Sequence, residues 1–221
     1  MKKLMSMMLS LIFIFSNIVT CYALEPQANT DTTLSNATKI DILDVVNNPE
    51  KYPDIKITIH KTADEFIERL SKDSNISKED KNIIIENVRA KQNSRSTTSY
   101  TGYVTVSDYC SVTSSYVVRP YFYCEVSASD ANLYNITSFN RILNAALDRN
   151  CNGVVKEFGG TLYFNLESYN TIYWDLNGTF YETGTTTWEL NSSAGMVGFN
   201  VGGASNYYRY CQHDDRLIFN I

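Results

Sequence analysis

The stretch that most restricts the fold is Ile172-Tyr173-Trp174-Asp175-Leu176, followed by Asn177-Gly178 and then Thr179-Phe180-Tyr181-Glu182-Thr183. Aromatic and β-branched residues suit a pleated, half-buried surface. Asn-Gly tolerates positive φ at two consecutive positions, as the type I′ turn of a tight hairpin requires. The pattern predicts two antiparallel strands that turn at 177–178 and place Trp174 opposite Tyr181.

Around this unit, strands are expected at 100–107, 117–127, 160–167, 186–190, 195–201, 206–212 and 216–221. Turns are expected at Gly159-Gly160, Ser168-Tyr169-Asn170, Gly202-Gly203 and Asp214-Asp215. Val118, Phe122 and Val126, or Leu162, Phe164 and Leu166, alternate as inward faces. One helix is expected among the strands, because Phe139, Ile142, Leu143, Ala146 and Leu147 recur at helical spacing before Asn152-Gly153. The fold class that follows is mainly β: an antiparallel β-sandwich or partly open barrel with one internal helix, preceded by an N-terminal helical segment.

Composition marks where the β domain begins. Of sixteen tyrosines, fourteen follow residue 99, as do both tryptophans, whereas Lys156 is the single lysine beyond that point. Residues 39–91 are charged and read as helical. Thr62-Ala63-Asp64-Glu65 is a capping box, and Phe66, Ile67 and Leu70 follow on one face. Ser77-Lys78-Glu79-Asp80 repeats the logic ahead of Ile84, Ile85 and Val88, and residues 40–46 form a short helix stopped near Pro49. These stripes are too narrow for helices that stand alone, so they must dock elsewhere or stay partly disordered. Residues 92–99 are polar and read as a linker to the β domain at 100–221; residues 24–38 read as disordered.

The chain opens with an export signal. Met1-Lys2-Lys3 is positive, Leu4 to Val19 is uncharged and rich in Leu, Ile, Met and Phe, and Cys21-Tyr22-Ala23 ends like a cleavage site. Residues 1–23 are therefore a signal peptide, and the mature chain is expected to be secreted. Lipid attachment at Cys21 competes less well, because Thr20 precedes it where Gly, Ala or Ser is normal. Beyond the signal no stretch is apolar enough to span a bilayer. A net charge of −5 argues against a nucleic-acid footprint, which needs clustered Lys and Arg.

The order of signal peptide, charged helices, Ser/Thr linker and Tyr/Asn-rich β domain resembles a family of uncharacterised small secreted proteins of Gram-positive bacteria. The residues that carry the resemblance are Tyr121-Phe122-Tyr123-Cys124, Ile172 to Tyr181, and Tyr208-Arg209-Tyr210-Cys211. It spans residues 62 to 221 and implies no particular activity.

Several residues could carry chemistry. Four cysteines remain after the signal, an even number that export permits to pair. Three pairings are possible; a hairpin around Ser114-Ser115 would set Cys110 near Arg119 and away from Cys124, which disfavours the local pair. The expected pairs are Cys124–Cys211, between two aromatic strands, and Cys110–Cys151, between two element ends; the alternative is four buried free thiols. Cys211 and His213 share a strand face beside Asp214 and Asp215, a conceivable nucleophile and base, although a bonded Cys211 would be lost to that chemistry. Asp148 to Gly153 matches the first half of a calcium loop but lacks its last ligand, because position twelve is Gly159. No metal or cofactor is expected. Asp175, Glu182, Glu167 and Glu189 on neighbouring strands are the material for glycoside hydrolysis, and equally for a soluble surface.

The remaining feature is aromatic. With Phe122 and Cys124 inward, Tyr121 and Tyr123 point outward, and Tyr163 beside Phe164 does the same. Such tyrosines can stack on sugars or contact a protein; alternatively they pair across strands beneath the helices. The expected function is a secreted, non-catalytic β domain that binds an extracellular glycan or protein through Tyr121, Tyr123 and Tyr163. The alternatives are a toxin or membrane-acting protein with a removable N-terminal segment, and an extracellular hydrolase.

Overall fold

Local capping sets the helices. The computed structural model describes residues 39–92, 100–191 and 194–221. Helix α1 (Ile42–Asn47) starts where the Asp41 side chain accepts from the Asp44 amide, and ends before Pro49, which begins a short 3-10 turn. Strand β1 (Lys56–His60) follows. Helix α2 (Ala63–Lys72) has the predicted cap, the Thr62 hydroxyl accepting from the Glu65 amide at 3.1 Å, while the Glu65 carboxylate reaches back to the Lys61 amide. Helix α3 (Lys78–Gln92) starts from Ser77, whose hydroxyl accepts from the Asp80 amide. The expected signal peptide (residues 1–23), residues 24–38 and the expected linker at 92–99 apart from Gln92 lie outside the described residues.

The rest of the described chain is strand: β2 (Tyr100–Ser107), β3 (Cys110–Thr113), β4 (Tyr116–Ala128), β5 (Ile136–Asp148), β6 (Asn150–Cys151), β7 (Val154–Val155), β8 (Glu157–Ser168), β9 (Thr171–Asn191) and β10 (Met196–Ile218). The protein is mainly β, with antiparallel sheets and, among the described residues, three α-helices. In the first sheet β4 is central. It pairs with β5 on one edge and with β2, then β3, on the other; β1 extends the sheet beyond β2. The charged segment thus contributes a strand as well as helices. Ile40 also exchanges backbone hydrogen bonds with Ile218 and Asn220, and the described residues belong to one compact unit.

In the second sheet β9 lies between β8 and the second half of β10. The β9–β10 hairpin is long and bent, so that Met196 to Phe199 of β10 also pair with Tyr163 to Gly160 on the other edge of β8. The two sheets face each other across one apolar core that includes Val104, Phe122, Val126, Leu162, Trp174 and Leu176. The opposite face of the first sheet is covered by α2 and α3, through Phe66, Leu70, Ile84 and Val88 on Tyr103, Tyr121, Tyr123 and Ala146.

Three expectations are corrected. Asn177-Gly178 is not a turn but the middle of β9, opposite Gly160 on β8 and Cys211 to Gln212 on β10. Neither residue has positive φ. Gly160 and Gly178 face each other so closely that a Cβ on Gly178 would come within 2.7 Å of Gly160 Cα, with the Phe158 ring also 2.7 Å away. Glycine is there for close backbone approach under an aromatic ring, not for a reversal. The type I′ signature is realised instead at Asn152-Gly153, both with positive φ, between β6 and β7.

The same error affects Gly159-Gly160, Gly202-Gly203 and Asp214-Asp215, which all lie inside strands. Register shifts at Gly202/Ser205 and Tyr207/Arg209 accommodate the bend of β10, with Gly203 and Asn206 at positive φ. Ser168-Tyr169-Asn170 makes its turn, between β8 and β9, as does the hairpin at Ser114-Ser115 between β3 and β4.

The internal helix is β5. Three register shifts against β4 each add a residue to β5 and displace its period of two, which imitates helical spacing. Phe139, Ile142, Ala145 and Leu147 reach the inter-sheet core, and Leu143 and Ala146 reach the helices. A strand buried on both faces carries no clean alternation.

Candidate functional site

Tyr121 and Tyr123 do leave the face of Phe122 and Cys124, but the face they reach is closed. They are 6% and 0% exposed, so their assignment to a ligand surface is corrected. Both hydroxyls donate to Asp73 Oδ2 at 2.7 Å, and Phe66 lies edge-on to Tyr123. Burial, then the Asp73 charge, pushes both phenols well above the ordinary tyrosine range. These residues hold α2 to the sheet.

Tyr163 is different. It is 37% exposed on the outer face of β8, and the pleat places Thr161 and Asn165 on the same side. The β9 residues on that face are Tyr173, Asp175 and Asn177; the β10 residues are Tyr210, Gln212, Asp214 and Arg216. The registers arrange them in rows across the sheet: Thr161, Asn177 and Gln212; Tyr163, Asp175 and Asp214; Asn165, Tyr173 and Arg216. The alternate residues Ile172, Trp174 and Leu176 are fully buried. Trp174 therefore does not face Tyr181 but points into the core, where its indole N–H donates to Asp108 Oδ2 at 2.9 Å.

Asn177, Tyr210 and Arg216 on this face are held by side-chain contacts. The Tyr210 hydroxyl donates to Asn177 Oδ1 at 2.9 Å, and its amide donates to the Tyr207 hydroxyl. Arg216 lies 4.7 Å over the Tyr173 ring and forms a two-pronged pair with Glu167. The Tyr163 and Tyr173 rings are 6.0 Å apart. Partial burial, then Asp214 directly opposite, raises the Asp175 carboxyl above its ordinary value. A groove of about 480 Å³ runs from Tyr163 and Asn165 to Asn140 and Arg141. The face offers flat rings, amides and carboxylates on a paired-strand scaffold, with no helix of the described residues over it.

No family model, curated protein or solved structure matches this chain. Its function is therefore argued from its own surface.

A second cleft, about 700 Å³, opens beside β1 and the end of α2 and contains Lys56, Arg69, Lys72 and Arg119. Its cations are partly engaged: Arg119 donates to the Pro53 and Asp54 carbonyls, and Lys72 pairs with Glu68. Asp148 and Asn150, the calcium-loop candidates, accept from the Asn150 and Gly153 amides and shape the β6–β7 hairpin. His213 packs against Trp174, with ring centroids 5.2 Å apart, while the Cys211 sulfur lies against Cys110. Neither expected disulfide is present. Cys124 is fully buried with its sulfur toward the Phe122 carbonyl, and Cys151 is near the Ser115 carbonyl. Among the described residues no helix is long and apolar enough to cross a membrane.

Sequence reasoning found Tyr163 but missed Tyr173, Tyr210, Asn177 and Gln212. The signal was present in the alternation of Tyr173, Asp175 and Asn177 with Ile172, Trp174 and Leu176. Reading Asn177-Gly178 as a turn ended that face too early.

Proposed function

We propose that this chain is an exported, non-catalytic domain that binds a glycan on the outer face of β8, β9 and β10. The observation that carries the reading is the row structure of that face: Tyr163, Tyr173 and Tyr210 alternate with Asn165, Asn177, Gln212 and Asp175. Tyrosine rings match the apolar faces of pyranose rings, while neighbouring amides and carboxylates match their hydroxyls. A sheet keeps such groups at fixed spacing, so little ordering entropy is lost on binding. Arg216, held by Glu167 over Tyr173, stiffens one end of the platform. Export rests on the charged start, apolar middle and Ala23 of the first 23 residues.

The test is retardation of the full chain in gels containing neutral or acidic polysaccharides, followed by titration with oligosaccharides of the glycan that retards it. Tyr163→Ala, Tyr173→Ala and Tyr210→Ala should each abolish or strongly weaken retardation without loss of fold. Retardation unchanged in all three variants, or absent from every glycan tried, would overturn the reading. Release of reducing ends that stops in Asp175→Asn would replace it with a hydrolase. N-terminal sequencing of protein from the growth medium should find Leu24 first; a retained leader or a lipid on Cys21 would refute export with cleavage after Ala23.

A further inference from the structure

Cys110 and Cys211 are 101 residues apart in sequence, yet their sulfurs lie 3.7 Å from each other. Cys110 opens β3 in the first sheet, and Cys211 lies in β10 in the second; they are 0% and 7% exposed. A second contact fixes the approach, because the Thr113 and Tyr208 hydroxyls meet at 3.2 Å. β3 pairs only with β4, at Cys110↔Val118 and beyond, so no strand hydrogen bond joins the two sheets here. The other two cysteines are differently placed. Cys124 turns its sulfur to the Phe122 carbonyl, and Cys151 is half-buried by the β6–β7 hairpin.

We infer that Cys110 and Cys211 form a disulfide that ties the first sheet to the second, made by exchange with an external disulfide such as oxidised glutathione. Cys211 reacts first, because it is the more exposed of the two residues. Their mutual contact lowers the Cys211 thiol below its ordinary range and raises that of Cys110. The Cys211 thiolate attacks one sulfur of the donor disulfide; a Cys211–donor bond forms and the first donor thiolate leaves. Cys110 then loses its proton to water and attacks the Cys211 sulfur, expelling the second donor thiolate. Two protein thiols are oxidised to one disulfide, and one donor disulfide is reduced to two thiols. The four-residue edge strand β3 is the element that opens to admit the donor, because so few backbone bonds hold it.

The bridge also fixes which thiols survive. Cys124 should be shielded in the native protein and Cys151 should be reactive. The test uses the full chain, equilibrated in a buffer of oxidised and reduced glutathione, quenched with an alkylating reagent, digested and mapped by mass spectrometry. A peptide containing Cys110 joined to one containing Cys211, lighter by two hydrogens than the separate pair, is the expected product. Cys124 should be alkylated only after denaturation. The same cross-link should persist in Cys124→Ser and in Cys151→Ser. Its absence from oxidised wild-type protein, or Cys211 joined to Cys124 or Cys151 instead, overturns the assignment. Because the wild type is mapped directly, the outcome does not depend on any variant folding.

Discussion

The two faces of the first sheet are built from the same strands yet solve burial differently. The face toward the second sheet is dry: Val104, Val106, Phe122, Cys124 and Val126 pack there, and the charged group at its margin, Asp108, accepts from the Trp174 indole and the Tyr109 amide. The face toward the helices carries Tyr103, Thr105, Tyr121, Tyr123 and the buried Glu125. Thr105, Tyr121, Tyr123 and Glu125 each have a partner brought by the N-terminal segment or by β5. Asp73 accepts from two tyrosines, His60 meets Thr105 at 2.8 Å, and Lys91 and Arg141 both reach Glu125. A charge-rich pair of helices can cover a tyrosine face because hydroxyls, unlike methyl groups, need polar partners when buried.

The largest test of this contrast removes the anchor of each face. Trp174→Ala leaves a cavity and strips Asp108 of its donor, a loss of about 5 kcal/mol or more when the two costs combine. That is a large share of the stability of a single domain. Phe66 is stacked on Tyr103 at 4.6 Å, with His60 and Tyr123 at its edges, and Phe66→Ala should cost about 3–5 kcal/mol. Because β1 belongs to the sheet and Ile40 is bonded to Ile218, both variants should still unfold in urea in one transition. Two separated transitions in Phe66→Ala would make the helices a removable cover and not half of the fold.

Acid should act on the two faces with opposite sign. Burial, with Arg69 adding to it, lowers His60 to about 4, so it stays neutral in the folded chain while the unfolded histidine titrates near 6.5. Its contribution is complete above pH 6.5 and lost as pH falls through about 4, a change of about 3 kcal/mol. Burial raises Asp108 to about 6. Its folded pKa exceeds the unfolded value, so its contribution is complete below about 4 and lost as pH rises through 6, again about 3 kcal/mol. The two slopes largely cancel between pH 4 and 6.5. In His60→Gln the cancellation is removed, and the urea midpoint should rise toward acid across that window. A midpoint that stayed flat or fell toward acid across that window would show that Asp108 is an ordinary carboxylate.

How much of this was legible follows from how local each signal is. The caps at Thr62 and Ser77 act over three residues, and both helices start where those residues placed them. The boundaries of β2 were read correctly because one of its faces meets the dry core and the other the helices, with a distinct composition on each. β5 was misread because its three bulges depend on β4, which no window of β5 contains. Asn177-Gly178 was misread for a similar reason: its meaning is set by Gly160 and Phe158 on another strand. The candidate site was half legible. An outward tyrosine is a fact of the pleat, but whether solvent or a helix meets it is decided by residues 48 or 50 positions earlier, where Asp73 stands relative to Tyr121 and Tyr123.

The smallest expected effect sharpens that last point, because one substitution applied to one residue type separates covered from open sheet. Tyr123→Phe keeps the ring against Phe66 and removes only the hydroxyl that donates to Asp73. A buried hydrogen bond to a charged acceptor is worth about 1.5–3 kcal/mol, and Asp73 retains only the Tyr121 hydroxyl and the Asn75 amide. Urea unfolding of Tyr123→Phe should therefore shift by about that amount. Tyr163→Phe removes the same atom from a ring that already meets solvent, where water replaces the protein as partner, and should shift stability by less than about 0.5 kcal/mol. On the glycan reading its ring still stacks, so retardation should weaken only modestly, whereas Tyr163→Ala should lose it. Equal destabilisation by the two Phe variants would mean that the outer face of β8 is covered as well, and the open platform would have to be abandoned.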